Sequence, residues 1–112
     1  MSNTDSRHSA GNHADVFAAL GDTTRLGLIA KLCDGESRSI VQLAHNFPLT
    51  RQAITKHLCV LEMAGIVRRD RIGRESHYAY VAEPIAEASF YLNQVSEQWD
   101  DALSRLKSFV EV

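Results

Sequence analysis

The sequence has few cysteines, no long apolar run and no excess of positive charge. Its length of 112 residues fits one domain. Cys33 and Cys59 are too few for a disulfide framework. No apolar run approaches the roughly 18 residues of a membrane span, and the polar N-terminus has no signal-peptide pattern, so we expect a cytoplasmic protein without membrane contact. The formal net charge of −2, taken alone, argues against a nucleic-acid partner.

The charge is distributed unevenly along the chain. Residues 1–50 carry a net charge of −1, residues 51–81 a net charge of +3, and residues 82–112 a net charge of −4. A positive segment inside an acidic chain is suited to contact phosphates if the acidic C-terminal segment points away from them. The basic residues of this central segment are Arg51, Lys56, Arg68, Arg69, Arg71 and Arg74.

The N-terminal third of the sequence predicts a tail and two helices. Residues 1–12 are polar and lack periodicity, which predicts a flexible tail before a folded domain over residues 13–112. A first helix, with Val16, Phe17 and Leu20 on its apolar face, ends at Gly21. Asp22 is the predicted N-cap of a second helix. The residues of this second helix expected to face inward are Leu26, Ile29, Ala30 and Cys33.

A third and a fourth helix follow. Ser39 and Gln42 match a capping box at the start of a short helix, which Pro48 cannot continue. Thr50 is the predicted cap of a fourth helix over residues 51–63. Its apolar stripe, at spacings of four and three, is expected to face the core and consists of Ile54, Leu58 and Leu61. Its opposite face carries Arg51, Gln52, Thr55, Lys56 and Cys59.

The hydrophobic period then changes to two, the period of a β-strand. Residues 66–72 and 75–81 flank Gly73-Arg74, which predicts a β-hairpin with a basic tip. Tyr78 and Tyr80 share one face of the second strand. We expect them to pack the hairpin onto the domain rather than to stack on bases.

A long final helix is predicted from Pro84 onwards, because proline suits the first turn of a helix. Its apolar residues recur at alternating spacings of three and four, which is a heptad seam. The seam is longer than a small bundle needs, which favours a homodimer, with an internal core as the alternative. Its residues are Ile85, Ala88, Leu92, Val95, Trp99, Ala102, Leu106 and Phe109.

Two short helices joined by a tight turn and followed by a hairpin are the winged helix-turn-helix arrangement, whose second helix fits the DNA major groove. The predicted fold is therefore mainly α with a small β-hairpin. For His57 a structural hydrogen bond is the alternative to a DNA contact. The residues predicted to contact double-stranded DNA are Thr50, Arg51, Gln52, Thr55, Lys56, His57, Arg71 and Arg74.

Two other classes of function compete with DNA binding. A winged-helix module that binds a protein instead of DNA is the alternative, and the acidic overall charge favours it slightly. An enzyme is not expected, because the sequence has no nucleophile–base pair, no paired carboxylates at a plausible cleft and no glycine-rich phosphate loop.

The sequence resembles the ArsR-type (arsenic-repressor) family over about residues 13–111. Residues 16–26 (VFAALGDTTRL), residues 56–67 (KHLCVLEMAGIV) and Gly73-Arg74-Glu75 carry the resemblance. It implies a homodimeric repressor of element order α-α-α-α-β-β-α on a partly palindromic operator, with Arg51, Gln52, Thr55 and Lys56 facing the DNA. It also implies a dimer interface between the first and last helices, where we expect Val16, Leu92, Val95, Trp99, Leu103 and Leu106.

Many members of this family sense metals, but the residues of those sites are missing here. Ser39-Ile40-Val41 occupies the position of a Cys-x-Cys ligand pair, and residues 84–112 contain no histidine or cysteine. We therefore predict no metal site and no cofactor, and no small-molecule effector is assigned. A redox branch of the family pairs cysteines of the second and last helices; Cys33 fits the first position, but the second is missing. We expect Cys33 to be buried and Cys59 to be a small residue tolerated at a partly exposed position.

Overall fold

The computed structural model describes residues 13–111, so the predicted tail over residues 1–12 lies outside the described residues. The helices and strands of this part follow the order predicted for a winged helix-turn-helix, with one additional short strand. The helices are α1 (13–20), α2 (Thr23–Leu32), α3 (Ile40–Ala44), α4 (Arg51–Met63) and α5 (Glu83–Glu111). The strands are β1 (Arg38–Ser39), β2 (Val67–Ile72) and β3 (Glu75–Tyr80).

All three predicted N-caps are confirmed. The carboxylate of Asp22 accepts a hydrogen bond from the backbone N–H of Arg25 at 3.0 Å, which begins α2. Ser39 and Gln42 form both bonds of the capping box at the start of α3. The hydroxyl of Thr50 accepts from the backbone N–H of Ala53 at 3.1 Å, and α4 has the predicted bounds.

Strand β1 was not predicted from the sequence. It pairs antiparallel with β3 and makes the hairpin into a three-stranded sheet of order β1-β3-β2. Arg38 of β1 donates to the carbonyl of Lys31 and to the carboxylate of Asp34, which ties the strand to the end of α2. The Arg38 guanidinium lowers the pKa of that carboxyl to about 2. A strand of two residues is too short to produce an alternating pattern.

The core lies where α2, α3, α4 and the sheet meet. Tyr78 of β3 is buried there, and Tyr80 packs against the cluster, as predicted for the hairpin. The predicted stripe of α4 is confirmed as wholly buried. The core side chains with no exposed surface are Leu28, Leu32, Leu43, Ile54, Leu58, Leu61 and Ile66.

The prediction for the inward face of α2 was wrong except for Ile29. Leu28, Ile29 and Leu32 are the buried residues of this helix, whereas Leu26, Ala30 and Cys33 lie on its opposite, exposed side. Both sets have helical spacing, so periodicity alone does not distinguish them. The stripe with two leucines is the one that enters the core, because leucine removes more apolar surface from water than alanine or cysteine does.

The first turns of helix α5 pack against the rest of the described chain. Ala88 is buried, Ile85 packs against the core, and the ring of Tyr91 lies 4.9 Å from that of His13 in α1. Farther along, the large seam residues Leu92, Trp99, Leu106 and Phe109 are exposed, whereas Val95 and Ala102 are half-buried. Within the described residues, the exposed members of the seam are not part of an internal core. Within residues 13–111, none of the helices combines the length and the hydropathy that a membrane crossing needs.

We predict that Leu58→Ala lowers the free energy of unfolding by about 2–5 kcal/mol, because the truncation leaves a cavity in the centre of the core. Urea unfolding at a fixed protein concentration measures this. The control is Cys59→Ala, the next residue of the same helix, which is exposed and is expected to change stability by less than about 0.5 kcal/mol. Equal losses for the two variants would contradict the predicted orientation of α4.

Candidate nucleic-acid interface

The first turns of α4 present the polar residues predicted to contact DNA. Thr50 holds the start of the helix, and Arg51, Gln52 and Lys56 are exposed on the side opposite to the buried stripe. Thr55 is half-buried, and its hydroxyl donates to the carbonyl of Arg51 at 2.8 Å. An open groove of about 470 Å³ lies between α3 and α4, and its lining residues from α4 are Arg51, Gln52, Thr55 and Lys56.

The exposed side of α4 and the hairpin β2–β3 together carry the residues predicted to contact DNA, and we call this surface the DNA-binding face. Arg71 is exposed on β2, and Arg74 is exposed in the turn, where Gly73 has a φ of 63°. This left-handed conformation favours glycine and gives the tight turn that carries Arg74 outwards. A second groove of about 710 Å³ separates α3 from the hairpin. Its lining residues from the hairpin are Arg74, Glu75, Ser76 and His77.

Ion pairing divides the six basic residues of the central segment into two groups. Arg68 pairs with Asp70 at 3.0 Å, and Arg69 lies 3.7 Å from Glu62. Within the described part of the chain, the charged groups of the other four have no acidic partner. These four are Arg51, Lys56, Arg71 and Arg74. They are also the cations that the sequence predicted for DNA contact.

Arg25 joins three helices behind this face. Its guanidinium donates to the carbonyls of Ala18 and Ala19 at 3.3 and 2.6 Å, which satisfies the C-terminal end of α1. The same guanidinium lies 3.2 Å from Nδ1 of His57 in α4. The sequence analysis assigned no role to Arg25, because no spacing pattern reveals a side chain that reaches six residues back to another helix.

His57 is directed towards this junction. Its Nδ1 lies 3.2 Å from Arg25 and 3.8 Å from the carboxylate of Asp22, and the side chain is half-buried. The backbone N–H of Arg25 lowers the pKa of the Asp22 carboxyl below its ordinary value, and the nearby His57 and Arg25 lower it further. This geometry favours the structural alternative for His57 over direct contact with DNA.

Lys31 fixes the turn between α3 and α4. Its ammonium group donates to the carbonyls of Leu43 and His45 and lies 4.6 Å from the ring centroid of Phe47. It thereby satisfies carbonyls at the end of α3, which stops at Ala44, before Pro48 is reached. The turn that positions α4 beside α3 therefore depends on a lysine of α2, and no pattern in the sequence indicates this contact.

The residues predicted for the dimer interface differ in how far they are exposed. Val16 has 1% of its surface exposed and belongs to the core of its own chain, so it offers almost no surface to a second one. Leu92, Trp99, Leu103 and Leu106 are exposed on α5, and Val95 is half-buried.

Cys33 and Cys59 are both exposed thiols, so the prediction that Cys33 is buried was wrong. Between residues 13 and 111, no three His, Cys, Asp or Glu side chains lie close enough to hold a metal ion.

The element order, the helix pair α3–α4 and the hairpin with its basic tip define a winged helix-turn-helix protein, a class that binds DNA. No family model matches the chain. The uncharacterized HTH-type transcriptional regulator YuzN of Bacillus subtilis (strain 168) is 36% identical over 81 residues, which cover 67% of this chain and 88% of that protein. The uncharacterized HTH-type transcriptional regulator MJ1325 of Methanocaldococcus jannaschii is 30% identical over 74 residues, which cover 66% and 83%.

A solved structure extends the comparison to almost the whole chain. The ArsR-like transcriptional regulator from Rhodococcus sp. RHA1 superposes with a TM-score of 0.78 at 33% identity, and the match covers 91% of this chain and 95% of that one. The chain belongs to the ArsR-type family of helix-turn-helix transcriptional regulators. Regulation of transcription through DNA binding is therefore its class of function.

We predict that Arg25→Met lowers the free energy of unfolding by roughly 1.5–3 kcal/mol, because the carbonyls of Ala18 and Ala19 lose a charged donor. Urea unfolding measures the loss. Arg51→Met removes an equal charge from an exposed position of α4 and serves as the control, with a change below about 0.5 kcal/mol. A destabilisation of Arg25→Met no larger than that of the control would contradict the role given to this junction.

Proposed function

We propose that this chain is a homodimeric repressor that binds a partly palindromic operator through α4 and the hairpin β2–β3. One observation carries the proposal. The four cations of the central segment that have no acidic partner in the described chain are exposed on α4 and the hairpin. Arg51 and Lys56 border the groove beside α3, Arg74 borders the groove between α3 and the hairpin, and Arg71 lies on β2 near the turn. A group of unpaired cations on an otherwise acidic chain presents a surface suited to phosphates.

The side chains of α4 match the hydrogen-bonding groups of the major groove. Arg51 can donate two parallel bonds to a guanine, and Gln52 can pair with the edge of an adenine. Lys56 reaches a phosphate or a guanine, and the free backbone N–H groups behind Thr50 suit a phosphate. Arg71 and Arg74 on the hairpin suit the backbone or the minor groove. His57 contributes indirectly, because its contacts with Arg25 and Asp22 help to position α4.

The exposed stripe of α5 supports a dimer. Its large apolar side chains lie on a helix that projects from the core, and a contiguous apolar patch of this kind marks a protein interface. The exposed members are Leu92, Trp99, Leu103, Leu106 and Phe109. Two copies joined along α5 present two recognition helices related by two-fold symmetry, and such a pair reads a partly palindromic operator.

Repression requires no further chemistry from such a dimer. A dimer bound across two half-sites covers the duplex between them. Occupancy of a promoter by this body excludes the polymerase sterically, and the family resemblance favours this outcome over activation.

We predict that Arg51→Ala and Lys56→Ala each weaken binding to the operator by roughly 5- to 150-fold, the equivalent of about 1–3 kcal/mol. If Lys56 contacts a phosphate, its variant also lowers the dependence of log K on log salt by about one unit. The operator is first selected from random duplexes with the unaltered protein, and fluorescence anisotropy then gives the affinities.

Arg105→Ala is the matched control, because it removes one exposed positive charge from α5, outside the DNA-binding face. Its affinity for the operator is expected to equal that of the unaltered protein. Unchanged affinity in both α4 variants would contradict the proposal. Failure to select any duplex would instead favour a module that binds a protein partner.

We also predict that the double substitution Trp99→Glu and Leu106→Glu converts a dimer into a monomer, because it buries two carboxylates in an apolar interface. Light scattering after size-exclusion chromatography gives the mass. Gln98→Glu adds a negative charge on an adjacent face of α5 and should leave the dimer intact. A monomeric unaltered protein, or a double variant that stays dimeric, would exclude this interface.

A further inference from the structure

Val41 is an exposed apolar residue in the middle of the proposed DNA-binding face. It is the second residue of α3, and 54% of its surface is accessible. It borders both grooves of this face: the groove beside Arg51 and Lys56, and the groove beside Arg74. Val41 therefore stands between the recognition helix and the hairpin, where a bound duplex would pass.

The direction of Val41 is fixed by its neighbours. Ser39 and Gln42 close the capping box around it, at 2.9 and 3.3 Å, and set the first turn of α3. Leu43 and Ile40 supply the packing of this helix, since Leu43 is wholly buried and Ile40 contacts the core. Val41 contributes little to the fold, and its apolar surface is left for a ligand.

Thr55 adds a second apolar element to the same groove. Its hydroxyl already donates its only proton to the carbonyl of Arg51 at 2.8 Å. What Thr55 offers to a base is therefore its methyl group and the oxygen lone pairs. Ile40, Val41 and Thr55 thus form an apolar floor between the polar side chains of Arg51 and Lys56.

We propose that this floor receives the 5-methyl group of a thymine in the operator and that Val41 determines specificity at that base pair. Among the four bases, only thymine presents a methyl group in the major groove. The groove is bordered by two cations and contains no acidic side chain, so the occupant that it favours is an anionic duplex. This proposal rests on the proposed function and names the base that one part of the site reads.

The experiment replaces each thymine of the selected operator, one at a time, by uracil. This exchange removes the methyl group and keeps the base pair. At one thymine of each half-site we expect uracil to weaken binding of the unaltered protein by about fourfold, which corresponds to the transfer of one methyl group from water. At that thymine, Val41→Ala should bring the thymine-to-uracil ratio of affinities close to 1.

Val60→Ala is the matched control, because it truncates another exposed valine on a different face of the domain. It should preserve the fourfold preference for thymine. A protein that binds its operator but shows no methyl-dependent position, or a Val41→Ala variant that keeps the preference, would overturn the proposal and leave the proposed function standing. If no duplex is bound, both fail together.

Discussion

Helix α4 supplies three core side chains and also carries the polar side chains that we propose contact DNA, so one rotation of this helix about its axis has to satisfy both roles. Its buried side contributes Ile54, Leu58 and Leu61, none of which has exposed surface. Burial of each side chain is worth roughly 1.5–3 kcal/mol, a large share of the 5–15 kcal/mol that stabilises a typical domain. Because these contacts fix the rotation of α4 about its axis, they also determine which residues face outwards, among them Arg51, Gln52 and Lys56.

Polar contacts from α2 help to position α4 and the turn before it. Arg25 satisfies the end of α1 and meets His57, while Lys31 satisfies the end of α3 and sets the turn before Thr50. These cations act inside the fold, and Arg68 and Arg69 are paired on the sheet. A charge count along the sequence does not separate such cations from the four of the central segment that have no acidic partner in the described chain, and only the structure distinguishes the two groups.

Local signals in the sequence predicted most of this fold, because caps, a hairpin turn and helical periodicity depend on neighbouring residues. Thr50, the capping box of Ser39 and Gln42, and the bounds of α4 are of this kind. Features that depend on distant contacts were missed or mistaken. Strand β1 forms because β3 lies beside it, and the contact of Arg25 with the carbonyls of α1 depends on how α1 meets α2. Helix α2 has two stripes with helical spacing, and for this reason Cys33 was predicted to lie on the wrong side. For the site, residue type and helical spacing were enough to predict the exposed cations. The position of Val41 between two grooves depends on how the whole domain packs, so the sequence alone does not indicate it.

We propose that two copies of α4, related by two-fold symmetry, occupy successive major grooves of one duplex. Hydroxyl-radical footprinting of the selected operator can test this arrangement. We expect two protected segments about 10 base pairs apart, symmetric about their centre, which appear together at a single protein concentration. A single asymmetric segment, or two segments that fill independently at separate concentrations, would contradict it.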